Sequence, residues 1–468
     1  MRQTDSFDFA GNVSRALADR QLRRNLRAAM DTLIEKRNSV FADPQETEEL
    51  RERGAAIKRR ALSRLPALLA QLERNLTANG IRVHWAETTD EANQAVLDIM
   101  RSHDATRLVK GKSMVSEEMH LNPFLQRHGI ESMETDLGEF IIQLDNEPPS
   151  HIIVPAIHKN RDQVARTFHE KIPEAPYTED VEELTAIARR TLRRKFFAAQ
   201  VGLSGVNFAV AETGTLCLVE NEGNGRMCTT VPPVHIAVMG LEKVIEKLED
   251  IPPLLRLLTG SATGQLVTTY FNMISGPRKP GEKDGPLEVH LIILDNGRTR
   301  ILADPVMRET LLCVRCGTCL NHCPVYTRLG GHAYGFVYPG PIGEILTPQM
   351  EGLARAGVLA TASSLCNACE EVCPVKIPIP RLLRRLRRDL AAAAETADPL
   401  ERLAWKGWAL MNRVPLINAL AVRAGALLGD RLPAMGSLKA WSVVRTPPRP
   451  ASRSLHELVR REKGVENE

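Results

Sequence analysis

The chain has 468 residues, 43% of them hydrophobic and 25% charged, a balance that supplies a buried core and excludes a disordered polymer. A net charge of +4 and an aromatic content of 4% give neither the strong positive field nor the stacking surface of a nucleic-acid binder. The start, MRQTDSFDFAG, lacks the apolar segment of a leader peptide, and the most apolar stretch, Trp408 to Leu428, is broken by Arg413, Pro415 and Arg423, so neither export nor a transmembrane segment is expected and the chain is assigned to the cytoplasm.

In chain order, residues 1–75 read as a helical arm. LRRNLRAAMDTLIEKR and AIKRRALSRLPALLAQLERNL repeat apolar residues at helical spacing, with a basic polar face that reads as solvated. From Ile81 the pattern changes. IRVHWAET reads as a strand, DEANQAVLDIM as a helix and TRLVKGKS as a strand, followed by the apolar pieces EFIIQL and HIIVPAI and the helix VEELTAIARRTLRRKFFAAQ. GVNFAVAE and TLCLVE, joined at Thr213-Gly214, form a hairpin pattern. VHIAVMG, a helix from Glu242 and LEVHLIIL complete the region. Strands alternating with helices predict a layered α/β domain over residues 76–300. Residues 301–385 concentrate the cysteines. Residues 386–468 form a helical, Arg- and Ala-rich tail in which RTPPRPASRS reads as extended or disordered.

Nine cysteines in a chain expected to sit in a reducing compartment point to metal ligands before disulfides. Cys313-x2-Cys316-x2-Cys319-x3-Cys323-Pro324 is the bacterial ferredoxin spacing. Three thiolates at every third position of a tight loop wrap one cluster, and the following turn carries the fourth to another. A reduced copy follows as Cys366-x2-Cys369-x3-Cys373-Pro374. Because ligands interleave in two-cluster ferredoxins, Cys313, Cys316, Cys319 and Cys373 are assigned to cluster one, and Cys323, Cys366 and Cys369 to cluster two. Ser363 stands where the copy would have its first cysteine. Cluster two is then a [4Fe–4S] cluster completed by a serine, a water or a partner's ligand, or a [3Fe–4S] cluster. A structural zinc site wants four ligands in two short pairs, which seven cysteines in two Cys-Pro-terminated runs fit badly. Cys217, alternating with leucines, reads as a small buried hydrophobe, and Cys228 follows the loop NEGNGRM, where a ligand or reactive thiol is the alternative.

Other motifs fail. Val109-Lys110-Gly111-Lys112-Ser113 resembles the end of a phosphate loop, but Thr106 occupies the position of its first glycine, and no G-x-G-x-x-G follows a strand. Two segments still read as candidate ligand loops, VKGKSMVSEE (109–118) and AETGTL with NEGNGR (211–226). RLLRRLRRDL, 381–390, places five arginines beside a leucine stripe. It reads either as a solvated basic face or as a docking face for an acidic electron partner.

The whole chain resembles the iron–sulfur B subunits of the bacterial lactate-utilisation system, through VKGKSMVSEEMHLN, the AETGTL–NEGNGR hairpin, LLTGSATGQ, CVRCGTCLNHCPVY and SSLCNACEEVCPVKIP. The resemblance implies that the gap at Ser363 belongs to the family. It implies an α/β domain similar to sugar-phosphate isomerases and CoA transferases, and an electron carrier for oxidation of L-lactate to pyruvate alongside a cysteine-rich A subunit and a smaller C subunit. The sequence names no electron acceptor. Two rival readings are oxidation of a small 2-hydroxy acid within residues 81–300 themselves, and a redox-sensing scaffold.

Overall fold

Four helices open the chain, Phe9–Ala18, Arg20–Val40, Pro44–Ser63 and Leu65–Ala78, in a computed structural model that describes residues 7–393, 399–428 and four isolated positions nearer the C-terminus. Each of the first three starts where an aspartate accepts free backbone N–H groups: Asp8 from Gly11, Asp19 from Leu22, and Asp43 from Gln45 and Glu46, with Pro44 at the first helical position. The chain divides into two units at Leu390. The α/β layers and the cysteine loops share the first.

The main sheet contains β1 (Ile81–Ala86), β2 (Arg107–Lys110), β3 (Glu131–Glu134), β4 (Val201–Gly205), β7 (Val234–Gly240) and β10 (Glu288–Leu294), in the order β1-β10-β7-β4-β2-β3 and parallel throughout. All seven residues of β7 are buried, as expected of a strand covered on both faces. The second sheet, β8 (Val244–Ile245), β5 (Phe208–Val210), β6 (Thr215–Glu220) and β9 (Tyr270–Ile274), carries the expected hairpin, with Phe208 opposite Cys217 and Val210 opposite Thr215. Its turn lies on the helix Leu65–Ala78. Asn75 donates to the carbonyls of Ala211 and Glu212, and Asn79 to those of Thr213 and Gly214. Gly214 has φ +64°, and a Cβ there would stand 2.7 Å from the Asn75 backbone, so this turn requires glycine.

The structure assigns two apolar pieces that the sequence leaves open and corrects one helix. EFIIQL is helical (Leu137–Leu144), started by Asp136 accepting the Glu139 N–H. A short run buried all round does not distinguish strand from helix. HIIVPAI is a strap of turns: His151 Nδ1 accepts the N–H groups of Ile153 and Val154, so no strand partner is needed. No α-helix starts at Glu242. Residues Leu241–Lys243 make a 3₁₀ turn into β8, because the Glu242 carboxylate and carbonyl are both captured by buried cations, and the helix begins at Ile251 ahead of two prolines.

In the second unit the helices Pro399–Arg413 and Pro415–Leu428 are described, with Trp405 and Trp408 exposed and their rings edge to face at 5.9 Å. RTPPRPASRS lies outside the described residues. Among the described residues no helix is long and apolar enough to cross a membrane.

Candidate metal centres and an adjoining pocket

The two cysteine runs fold into loops of the same shape. In the first, Arg315 (φ 63°) and Gly317 (φ 75°) flank Cys316 in the left-handed region. In the second, Leu365 (φ 56°) and Asn367 (φ 68°) flank Cys366. The left-handed pair turns the backbone inward, so successive N–H groups and thiols point to one side. The Arg315 N–H donates to Cys313 Sγ at 3.3 Å. The Leu365 N–H donates to Ser363 Oγ at 3.2 Å. Ser363 therefore repeats, with an oxygen, the place and hydrogen bond of Cys313.

Cys313, Cys316, Cys319 and Cys373 line one small cavity together with Ile152, Val375 and Ile377, and no carboxylate or imidazole lines it. Such an all-sulfur donor set suits iron–sulfur clusters and soft metals. Burial raises the Cys316 and Cys319 thiols, which the neighbouring cysteines raise further, and it pushes Cys373 up to about 11. Binding here must expel protons that burial holds in place, which a polycationic iron core does and solvent does not. The Ile377 N–H donates to Cys373 Sγ at 3.3 Å, and the Tyr326 N–H to Cys323 Sγ at 3.4 Å. Hydrogen bonds to sulfur of this kind tune cluster potentials.

Cys323 and Cys369 are buried, with thiols pushed up to about 12 by burial, Cys323 further by Glu344 and Cys369 further by Cys323. Cys366 beside them is exposed. Glu344, fully buried and in electrostatic reach of both, has its carboxyl pushed up to about 8 by burial, with the Tyr334 hydroxyl at 3.4 Å. Arg387 donates to the carbonyls of Ala360 and Ser363, fixing the loop that presents Ser363. On the same helix Leu382, Leu383 and Leu386 pack inward while Arg381, Arg384 and Arg388 stay exposed.

The basic arm is not simply solvated. Arg51 donates to the carbonyls of Cys373 and Glu370, and Arg37 to that of Val372, so both hold the second loop from outside. Lys58 is buried, donates to the Glu242 carbonyl at 2.6 Å, and has its pKa lowered to about 8 by burial and by Lys243. No local signal reveals these roles, because the partners lie some 184 to 335 positions away.

At the carboxyl ends of β7, β4, β2 and β3 lies a cavity of about 460 Å³. This is where open parallel sheets bind ligands, since the loops leaving adjacent strands diverge there. Lys112 and Ser113 follow β2, Asn207 follows β4, Lys243 follows β7, and Arg315 and Ile152 are shared with the cage of the four cysteines. Of the two candidate loop regions, 109–118 and the NEGNGR half of the other line this cavity. AETGTL does not: it is the anchor to the helix Leu65–Ala78.

A buried ionic chain joins sheet to cysteine loops. Arg298, fully buried, donates to both oxygens of Glu118 at 2.8 Å and to Glu242 at 2.6 Å. Glu242 accepts from Arg315 at 3.3 Å, the Arg315 guanidinium stacks 4.6 Å over Tyr338, and the Tyr338 hydroxyl returns to Glu118 at 2.6 Å. Burial opposes both carboxylates, but Arg298 holds Glu118 below its usual range and, with Arg315, brings Glu242 down to about 2.

Cys217 is buried in β6, as its alternation with leucine predicts. Cys228 is buried as well, its Sγ 3.5 Å from Thr135 Oγ1 and its thiol pushed up to about 12 by burial, which is not the environment of a reactive cysteine. Lys110 does not face a phosphate: it is fully buried between Glu117, at 2.9 Å, and Glu134.

Comparison with known proteins gives three family matches along the chain. Residues 69–294 match the model of the LUD domain, residues 309–377 that of the 4Fe-4S dicluster domain, and residues 386–464 that of the C-terminal part of lactate utilisation protein B. The chain is 40% identical to an uncharacterized electron transport protein, YkgF, of Escherichia coli (strain K12), over 99% of this chain and 98% of that one. It is 42% identical to lactate utilization protein B of Shouchella clausii (strain KSM-K16), over 95% and 94%, and 41% identical to lactate utilization protein B of Bacillus subtilis (strain 168), over 94% of each.

Proposed function

The chain belongs to the lactate utilization protein B family, and from that premise we propose that it is the electron carrier of L-lactate oxidation to pyruvate, working alongside A and C partner subunits. The observation that supports this most is the meeting of Cys313, Cys316, Cys319 and the distant Cys373 on one cavity, with Cys323, Cys366 and Cys369 as a second set beside it. The first set holds cluster one and the second holds cluster two, with Ser363 at its fourth position. Loaded in this way, the protein supplies two one-electron sites for the two electrons that leave lactate, with two protons, as pyruvate forms. The first set of cysteines shares Ile152 and Arg315 with the large cavity and the second has the exposed Cys366, so electrons would enter at a cluster held by the first set and leave toward an acceptor from one held by the second.

Prepared without oxygen, the protein is expected to be brown and to carry iron and acid-labile sulfide in near-equal amounts. Lactate should reduce it once the A and C partners are present. A colourless, zinc-loaded preparation that still supports full lactate-dependent electron flow would refute the assignment.

An alkoxide or water holds iron less well than a thiolate. Cluster two, short of one thiolate and nearer the surface, should therefore lose iron first in air. Ser363→Cys should slow that conversion. Paramagnetic resonance during timed air exposure reads the effect. Equal rates in both proteins would show that Ser363 does not face an open iron.

A further inference from the structure

We propose that the cavity at the carboxyl ends of the sheet binds a small 2-hydroxy or 2-oxo carboxylate, with Lys243 and Arg315 holding the carboxylate beside the cage of the four cysteines. The chemical class of the ligand rests on the electron-carrier reading. The location of the site rests on the geometry alone.

Arg315 is the first cation, at the boundary between the cavity and the cage. Its side chain is fixed by the stack on Tyr338 and the bond from Nη2 to Glu242. Its Nη1 is buried without a hydrogen-bond partner, on a residue 9% exposed that lines both the cavity and the cage of the four cysteines. A guanidinium held rigidly with one edge free is built to receive a carboxylate, because the entropy of ordering it is already spent. Leaving a donor of this kind unpaired in a buried site is unfavourable, and a ligand oxygen removes that cost.

Lys243 is the second cation. It is 7% exposed, lines the same cavity, and makes no hydrogen bond or ion pair with any described residue. Burial and Arg315 lower its pKa to about 8, and Glu242 and Cys313 oppose that only in part. Around it, Lys58, Arg298 and Arg315 are also buried, against Glu118 and Glu242. The cysteine thiolates answer part of this positive field. Lys243, however, lines only the larger cavity and not the cage, so a ligand in the cavity is within its reach. Asn207, Asn224 and Glu222 line the same space and offer hydrogen bonds to a hydroxyl or oxo group. The volume of about 460 Å³ leaves room for a three-carbon acid and several waters.

The test is equilibrium dialysis of the anaerobic, cluster-loaded protein with labelled lactate and pyruvate, for wild type, Lys243→Gln and Lys243→Arg. Wild type should bind saturably. Lys243→Gln should bind roughly ten- to hundredfold more weakly, with iron content and the paramagnetic spectrum unchanged, and Lys243→Arg should recover most of the affinity. A Thr263→Trp variant, which fills the cavity from the end of the helix Ile251–Thr263, should also abolish binding and gives an independent reading if Lys243→Gln fails to fold. Equal affinity of wild type and a folded Lys243→Gln or Thr263→Trp protein, or no binding by wild type, overturns the site. If lactate still reduces the complete system at the wild-type rate with Lys243→Gln, the site falls and the electron-carrier reading stands. If lactate never reduces the wild-type system, that reading falls as well.

Discussion

Replacement of Cys373 by serine is expected to abolish cluster one and spare cluster two. Cys373 lies 50 or more positions beyond Cys313, Cys316 and Cys319, yet all four line one cavity, while Cys366 and Cys369, its neighbours in the chain, associate with Cys323. Serine keeps the Ile377 N–H bond and the local turn but offers a harder, more basic oxygen to iron. Iron per chain should fall by about half, with the surviving resonance that of cluster two. Electron flow from lactate should fall by orders of magnitude, since the site beside the pocket is gone. Loss of the other resonance would reverse the ligand assignment.

The largest effect on stability is expected at Arg298. Arg298→Met removes the cation between Glu118 and Glu242 and leaves two buried carboxylates whose remaining side-chain hydrogen bonds come from Arg315, Tyr338 and Asn296. Breaking a buried ion pair by deleting one partner costs roughly 3–5 kcal/mol, because the charge left behind has neither water nor a counter-ion. Denaturant unfolding of the apoprotein should show this as a lower midpoint with little change in slope. Arg27→Met is the control: its pair with Asp31 is largely exposed, so the expected change is under about 1 kcal/mol. Equal, small losses in both variants would mean that the buried chain does not tie the sheet to the cysteine loops. Because Glu242 sits next to Lys243 and holds Arg315, Arg298→Met should also weaken anion binding without touching the cavity.

The sequence by itself determined what is local. The cysteine spacing specified two ligand loops, because three ligands and their turn fit within seven residues and no distant contact is needed to shape them. Ser363 was visible as a gap for the same reason, and the structure gives it the hydrogen bond of the cysteine it replaces. Apolar runs bounded by turns specified four of the six strands of the main sheet, and Thr213-Gly214 marked the hairpin of the second. Short runs apolar on every side, EFIIQL and HIIVPAI, were ambiguous. For them the choice between strand, helix and strap lies in which groups satisfy their N–H donors, and those groups are Asp136 and the His151 ring. The tertiary structure alone decided the pocket and the field around it. Lys58, Glu118, Lys243, Arg298 and Arg315 come from five separate segments, and their spacing in the chain carries no period. They meet because parallel strands deliver their following loops to one edge, and because the N-terminal helices and the cysteine module pack onto that edge. A charge reads as a surface charge in any sequence window. Only burial against a particular partner, such as Arg298 against Glu118 and Glu242, turns it into part of a site.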